Sequence, residues 1–228
     1  MKALVLCSGG IDSTTALGIA IKKFGQENVI GLCMSYGQKH VRELESAKAV
    51  AKHYGIELIS MDLSKIFEYS DSSLLSHSDE EIPKESYAKQ LDGAAQDETV
   101  STYVPFRNGL FLSTAASIAL SKDCSYIYYG AHKDDAAIAA YPDCSEEFNN
   151  AIKAAIWEGS GHQLNIEAPF ISKNKADIVK MGLELGVPYE LTWSCYEGGD
   201  KPCGTCGTCI DRAAAFAANG IPDPAERN

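Results

Sequence analysis

Six consecutive residues, Ser8-Gly9-Gly10-Ile11-Asp12-Ser13, set two glycines, two hydroxyls and one carboxylate between the apolar run 3–7 and an amphipathic run that starts at Thr14. Peptide N–H groups at a helix start are unpaired and lie at the positive end of the helix dipole. A strand that turns through two glycines into a helix therefore makes a cradle for a phosphate. The loop has neither the Lys-Ser/Thr pair of the common phosphate loop nor the three spaced glycines of the dinucleotide fold. Lacking a lysine, it must borrow positive charge. Two cations stand where the dipole disfavours them: Arg107, just ahead of the apolar run 110–120, and Lys175, in the first turn of a helix that Ser172 or Asn174 can cap. Arg107 is expected to grip an anion in a bidentate fork or else to pair with a nearby acid. Lys175 is expected to face an anion in front of its helix.

A second group of reactive residues lies near the C-terminal end. Cys195, Cys203, Cys206 and Cys209 follow the spacing C-x7-C-x2-C-x2-C, with Gly198, Gly199, Gly204 and Gly207 allowing tight reversals between them. Four thiolates satisfy tetrahedral Zn²⁺ and leave no position for water, which is the pattern of a structural zinc site. Cys7, Cys33, Cys124 and Cys144 are scattered singly, the first three in apolar strand-like runs where a thiol acts as a small buried hydrophobe. That distribution is not a secreted disulfide framework.

The elements that must position these groups alternate. Strands are predicted at 3–7, 28–35, 56–63, 124–131 and 165–168. Helices are predicted from Thr14 to a stop at Gly25, over 41–54, over 110–120 as an apolar, buried helix, and from Lys175 to Gly186. Strand–helix–strand units with short links imply right-handed crossovers, so the fold class is α/β: an open parallel sheet with helices on both faces. Ligands of such sheets gather beyond the carboxyl ends of the strands. Ser8–Ser13, Tyr36–His40, His132–Asp135 and the Tyr141-Pro142-Asp143-Cys144 turn should then share one rim. Between 70 and 102 the acids outnumber the lysines and apolar residues thin out; this segment is expected to be a solvated polar insertion and a candidate lid. The expected division is an α/β domain over 1–190 and a zinc-binding segment over 191–228.

Composition narrows the function. The chain of 228 residues carries a formal net charge of −11, which argues against a nucleic-acid binder, because phosphate contacts need clustered Lys and Arg. A small substrate is the better default. Without a leader-like start or an apolar run of about 18 residues, a soluble cytoplasmic protein is expected.

The SGGIDS loop resembles the signature of the N-type ATP pyrophosphatases, which split ATP between its first two phosphates and adenylate a substrate oxygen. The resemblance implies an adenine nucleotide alpha hydrolase-type, Rossmann-like fold, with Cys7, Ser8, Gly9, Gly10, Ile11, Asp12, Ser13, Thr14, Thr15, Ala16 and Leu17 on the ATP and Asp12 near its Mg²⁺. Several further features occur in one order along nearly the whole chain: Tyr36-Gly37-Gln38-Lys39-His40, the VPFRN element at 104–108, the YPDC turn at 141–144, Asn174-Lys175-Ala176 and the four-cysteine tail. This set is similar to the 7-cyano-7-deazaguanine synthase family of queuosine precursor synthesis. It implies conversion of 7-carboxy-7-deazaguanine and ammonia to the nitrile through two adenylations, with a homodimer as the assembly. Asp12, Arg107 and Lys175 are the implied catalytic residues. Tyr36, Gln38, Arg107, Asp135, Tyr141, Asp143 and Lys175 are the implied substrate contacts. Two departures stand out: Phe106 occupies a place where the family more often has glycine, and the segment 132–135 differs from the family's usual one. The alternatives are another adenylating enzyme of the superfamily, acting on a different small acceptor or on tRNA, and a non-catalytic nucleotide-binding zinc module.

Overall fold

The computed structural model describes residues 1–85, 99–134 and 141–227. Five strands form one parallel sheet: β1 (Lys2–Leu6), β2 (Val29–Ser35), β3 (Glu57–Asp62), β4 (Cys124–Tyr128) and β5 (Asn165–Glu167), in the spatial order β3-β2-β1-β4-β5. Among the described residues six α-helices accompany it: α1 (Ile11–Phe24), α2 (Arg42–Tyr54), α3 (Arg107–Ser121), α4 (Glu146–Gly159), α5 (Lys175–Leu185) and α6 (Gly207–Ala218). The alternation read from the sequence is thus the alternation found.

Successive side chains of a strand point to opposite faces, and the two halves of the core follow that period. Leu4, Ile30, Leu32, Met34 and Ile127 pack with Leu112, Ala115 and Ala119 of α3 and Ile156 of α4. Ala3, Val5, Val29 and Tyr128 point the other way, onto Ala16, Leu17 and Ala20 of α1, Val50 of α2, Ile178 and Val179 of α5, and Phe216 of α6. Because α1 and α2 cover one face and α3 the other, the chain changes both direction and face where β1 neighbours β4. In open parallel sheets this is the switch point at which a crevice opens beyond the strand ends.

Three expectations need correction. The helix Arg107–Ser121 is not buried all round, since Ser113, Ser117 and Leu120 form an exposed stripe opposite Leu112, Ala115 and Ala119. Its small residues are small because the backbone packs closely on the sheet, not because every side is covered. The insertion is not simply solvated where it is described: Leu74 and Leu75 pack with Tyr36, Phe67 and Val104, and Ile82 packs against Cys195, Cys206 and Cys209. Backbone bonds from Lys39 N–H to Leu74 O (2.9 Å) and from Ser76 N–H to Gly37 O (2.8 Å) lace this segment to the loop after β2. Few apolar residues suffice there because each one is fully used. Residues 86–98 lie outside the described residues. Finally, α4 and α6 were not foreseen, although Ser145 caps α4 by accepting the Phe148 N–H at 3.0 Å and Phe148, Ile152 and Ile156 recur at helical spacing below it.

Within the C-terminal segment a buried ion pair ties α6 to the chain on either side of it. Arg212 of α6 donates Nε to Asp223 Oδ2 at 2.6 Å and an Nη to Asp223 Oδ1 at 2.9 Å. Its other Nη reaches Thr192 Oγ1 at 2.9 Å. Arg212→Ala would leave Asp223 buried without its counter-charge. The expected cost is about 3–5 kcal/mol in denaturant unfolding, with Asp223→Ala adding little more on top.

Candidate active site

The loop 7–10 leaves β1 and delivers Gly9 at φ +86°, a left-handed conformation suited to glycine. A Cβ at Gly9 would stand 2.4 Å from the Glu43 carbonyl oxygen and 2.6 Å from the Ala47 nitrogen, so only glycine lets α2 pack against the loop. Gly10 is the N-cap of α1, and no side chain caps that helix, which leaves first-turn N–H groups directed at the crevice. Ser8 Oγ and Ser13 Oγ lie 3.1 Å apart beside them. From the other side of the switch point, β4 brings Gly130, where a Cβ would sit 3.0 Å from Asp12 Cβ and 3.2 Å from Ser13 N.

A cavity of about 200 Å³ opens at this point, well beyond the space of one water. Its lining includes Ser8, Asp12 and Ser13 of the loop, Tyr36, Gln38, Glu43, Arg107 and Tyr196, and the apolar Leu32 and Met34. Arg107 lines it directly and Lys175 reaches it through Asp12, so the two cations are held in different ways.

Lys175 Nζ donates to Asp12 Oδ2 at 2.6 Å and to His132 Nε2 at 3.0 Å. An ammonium has no acceptor site, so the His132 Nε2 that receives its proton is unprotonated and the ring's hydrogen is assigned to Nδ1. Burial favours the neutral form of Asp12, but Lys175, by its charge and its hydrogen bond, outweighs it and holds the carboxyl below its ordinary range. Its second oxygen, Oδ1, is buried with no hydrogen-bond partner among the described residues. A carboxylate oxygen left over in this way is the donor a hard cation such as Mg²⁺ takes. Lys175 therefore does not wait for an anion alone; it is already paired with the loop's carboxylate.

Arg107 opens α3, and its guanidinium carbon lies 5.0 Å from the centre of the Tyr36 ring. Burial works against its charge, but Tyr36, Tyr196 and Asp143 more than offset that and raise its pKa. Asp143 explains how a cation is tolerated at a helix start. Its Oδ2 accepts the Asn108 N–H at 2.8 Å, so a carboxylate occupies the first turn where the dipole calls for one. The Arg107 side chain lines the cavity, where Asp143 is the acid that favours its charge.

Over residues 2–220 the sequence matches the family described as queuosine biosynthesis protein QueC. The chain belongs to the QueC family. Relatives named 7-cyano-7-deazaguanine synthase include that of Archaeoglobus fulgidus, 44% identical over 225 residues, which are 98% of this chain and 89% of the relative. Those of Caldicellulosiruptor bescii (43% identical, covering 99% of this chain and 97% of the relative) and Marinobacter nauticus (40%, covering 98% and 96%) match as fully. This member of the QueC family is an enzyme of queuosine precursor synthesis.

The remaining QueC-type positions divide by where their side chains go. Gln38 lines the cavity while its Oε1 accepts the Tyr36 N–H at 2.9 Å, fixing the loop that carries both. Ile11, Thr15, Ala16 and Leu17 face the core: Thr15 Oγ1 bonds to Ile11 O and lies 2.7 Å from Tyr189 Oη. Thr14 is buried with its hydroxyl unpartnered among the described residues. Tyr141 is also in the core, with its hydroxyl 2.6 Å from Thr102 Oγ1. Asp135 lies outside the described residues. Phe106 takes φ +55°, so it holds the left-handed backbone that a glycine would adopt there without the roughly 1–2 kcal/mol of strain. Its ring lies edge-on to Phe148 at 5.8 Å.

Cys7 and Cys33, which also line the cavity, are pushed up to about 12 and about 11, mainly by burial. They are thiols rather than nucleophilic thiolates at neutral pH. The four C-terminal cysteines are different. Their sulfurs lie within 4.8 Å of one another, with Cys203 Sγ and Cys209 Sγ at 4.0 Å. Tetrahedral Zn–S bonds of about 2.3 Å imply S–S separations of about 3.8 Å. Backbone N–H groups of Glu197 and Cys203 point at Cys195 Sγ, and those of Thr205 and Cys206 at Cys203 Sγ. Burial opposes the Cys203 thiolate, yet the Thr205 and Cys206 donors lower its pKa. A metal ion fits this cluster. No helix among the described residues is long and apolar enough to cross a membrane.

One cavity residue carried no sequence signal. Glu43 sits in the first turn of α2, where an acid is expected on dipole grounds alone. Burial pushes its carboxyl up to about 7, against the opposing influence of Arg107. A raised folded-state pKa means that the associated stability is present below the ordinary value of 4.5 and is lost as pH rises through 7. Glu43→Gln, always neutral, should thus gain on the wild type by about 2 kcal/mol between pH 5 and pH 8 in denaturant unfolding.

Proposed function

We propose that this enzyme converts 7-carboxy-7-deazaguanine and ammonia to 7-cyano-7-deazaguanine, adenylating first the acid and then the amide. The observation that carries the reading is the convergence, on one cavity, of the uncapped start of α1, Asp12 with its partner Lys175, and the half-buried Arg107. The backbone N–H groups of the loop, with Ser8 and Ser13, hold the pyrophosphate of ATP. Asp12 Oδ1 is the oxygen for Mg²⁺, which when bound draws charge from the phosphates. Arg107 and Lys175 stabilise the negative charge that builds on the α-phosphate and the leaving pyrophosphate as the substrate carboxylate oxygen attacks. Such fixed charges act strongly because they need no reorganisation at the moment of reaction.

Ammonia then displaces AMP to give the amide, whose oxygen is adenylated in turn and leaves as AMP with formation of the nitrile. Tyr36 and Gln38 contact the deazapurine. Asp143 contributes by fixing the start of α3, and so the position of Arg107. Zinc on Cys195, Cys203, Cys206 and Cys209 staples the tail, and a homodimer is the expected assembly.

Incubation with 7-carboxy-7-deazaguanine, ammonium and ATP-Mg²⁺ followed by mass analysis should yield the nitrile and two AMP per turnover; no AMP and no nitrile refutes the proposal. Asp12→Asn, Arg107→Ala and Lys175→Ala should each lower AMP formation by at least about 10²-fold with an unchanged circular dichroism spectrum. Metal analysis should give one zinc per chain, and its removal by chelation should unfold the tail, at a cost on the order of 10 kcal/mol.

A further inference from the structure

The proposed reaction has a proton requirement that Asp12, Arg107 and Lys175 do not meet. Ammonium enters with four N–H bonds and the nitrile nitrogen keeps none. One proton must leave before the nitrogen lone pair can attack the adenylate, and a second must leave the adduct as the C–O bond to AMP breaks. After the amide oxygen is adenylated, one more proton is lost to give the neutral imidate. The last goes as its N–H electrons become the third C–N bond and AMP departs. A base beside the nitrogen is therefore a chemical necessity. Asp12 is occupied by Lys175 at 2.6 Å, and Cys7 and Cys33 remain thiols at neutral pH.

Glu43 is placed for this work. It lines the same cavity as Asp12, Ser13 and Arg107. The α2 backbone at Glu43 lies against Gly9 of the loop, so its side chain starts next to the nucleotide cradle. Arg107 is the cation that acts on its carboxylate, whereas Asp143 is committed to the Asn108 N–H.

We propose that Glu43 is the general base that takes protons from the nitrogen, first from incoming ammonium and then from the amide-derived imidate. In each transfer an N–H bond breaks and an O–H bond forms on the carboxylate. Being half-buried rather than sealed, the carboxyl returns the proton to solvent before the next transfer. The charged and titratable groups facing it are Arg107 from α3, and Tyr36 and Cys33 from β2 and the loop after it. Asp12, paired with Lys175, lines the same cavity. A pKa of about 7 suits a base at neutral pH, since it is ionised often enough to accept and basic enough to pull.

The inference rests on the reading under Proposed function, and its test separates the two. ATP–pyrophosphate exchange driven by 7-carboxy-7-deazaguanine reports adenylation without any nitrogen chemistry. For Glu43→Gln, exchange should stay within about threefold of wild type while ammonium-dependent amide and nitrile formation fall by about 10²–10⁴-fold. Hydroxylamine, largely unprotonated at neutral pH, should still trap the adenylate as the hydroxamate in that variant, and Glu43→Asp should recover part of the rate with ammonium. Unchanged ammonium-dependent rates would overturn the proposal, as would a parallel loss of exchange, which would mean that Glu43 serves the nucleotide site instead. No exchange in the wild type would refute the substrate reading itself.

Discussion

An ion pair between residues 163 positions apart closes the working part of this molecule. Asp12 leaves the first turn after β1, Lys175 begins the helix after β5, and His132 follows β4; their contact at 2.6 and 3.0 Å fixes the relation of three strand ends. It also supplies the glycine loop with the cation that its own sequence lacks. The loop can then present bare N–H groups and hydroxyls to an anion while its single carboxylate keeps its charge, because Lys175 outweighs the burial that would neutralise it.

Around that pair the charges are arranged by cost. Arg107 is carried inward at a helix start, and the penalty is offset by Asp143 at the same turn and by the Tyr36 ring beneath the guanidinium. Glu43 is the exception, an acid turned toward the cavity whose burial outweighs the pull of Arg107 on its charge. Stability alone gives no reason to keep a carboxyl whose ionisation is unfavourable where it stands. A proton-accepting role gives one. The four-cysteine knot and the Arg212–Asp223 pair lie apart from this chemistry and order the tail within itself, with Ile82 of the insertion packed over the sulfurs, while Phe216 against Ile178 and Val179, and Asn219 donating to Ala176 O, hold the tail on α5.

Most of the scaffold was legible from the chain. The runs of Val, Ile and Leu in β1 and β2, the periodic apolar faces of α1, α2 and α5, and the stops at Gly25, Gly55 and Gly186 are local signals, and local signals suffice when each element obeys its own period. Helices α4 and α6 carry apolar periodicity too, but each adjoins a segment of polar or cysteine-rich composition, the YPDC turn and the four-cysteine tail, that blurs its boundary in the sequence. The segment after β3 misled for another reason. Its acids are conspicuous in a sequence, whereas the burial of Leu74, Leu75 and Ile82 depends on partners from the loop after β2 and from the tail.

The site divides along the same line. The residue types of the loop, the spacing of the four cysteines and the wrong-end placement of Arg107 and Lys175 were determined by sequence alone, because backbone donors, metal geometry and the helix dipole impose rules that act within a few residues. Tertiary structure alone decided that Lys175 meets Asp12, that Tyr141 bonds to Thr102 and Asp143 to the start of α3, and that Glu43 lines the cavity. Those outcomes depend on which strand ends become neighbours when the sheet reverses order at β1, and no local period of the chain encodes that distance.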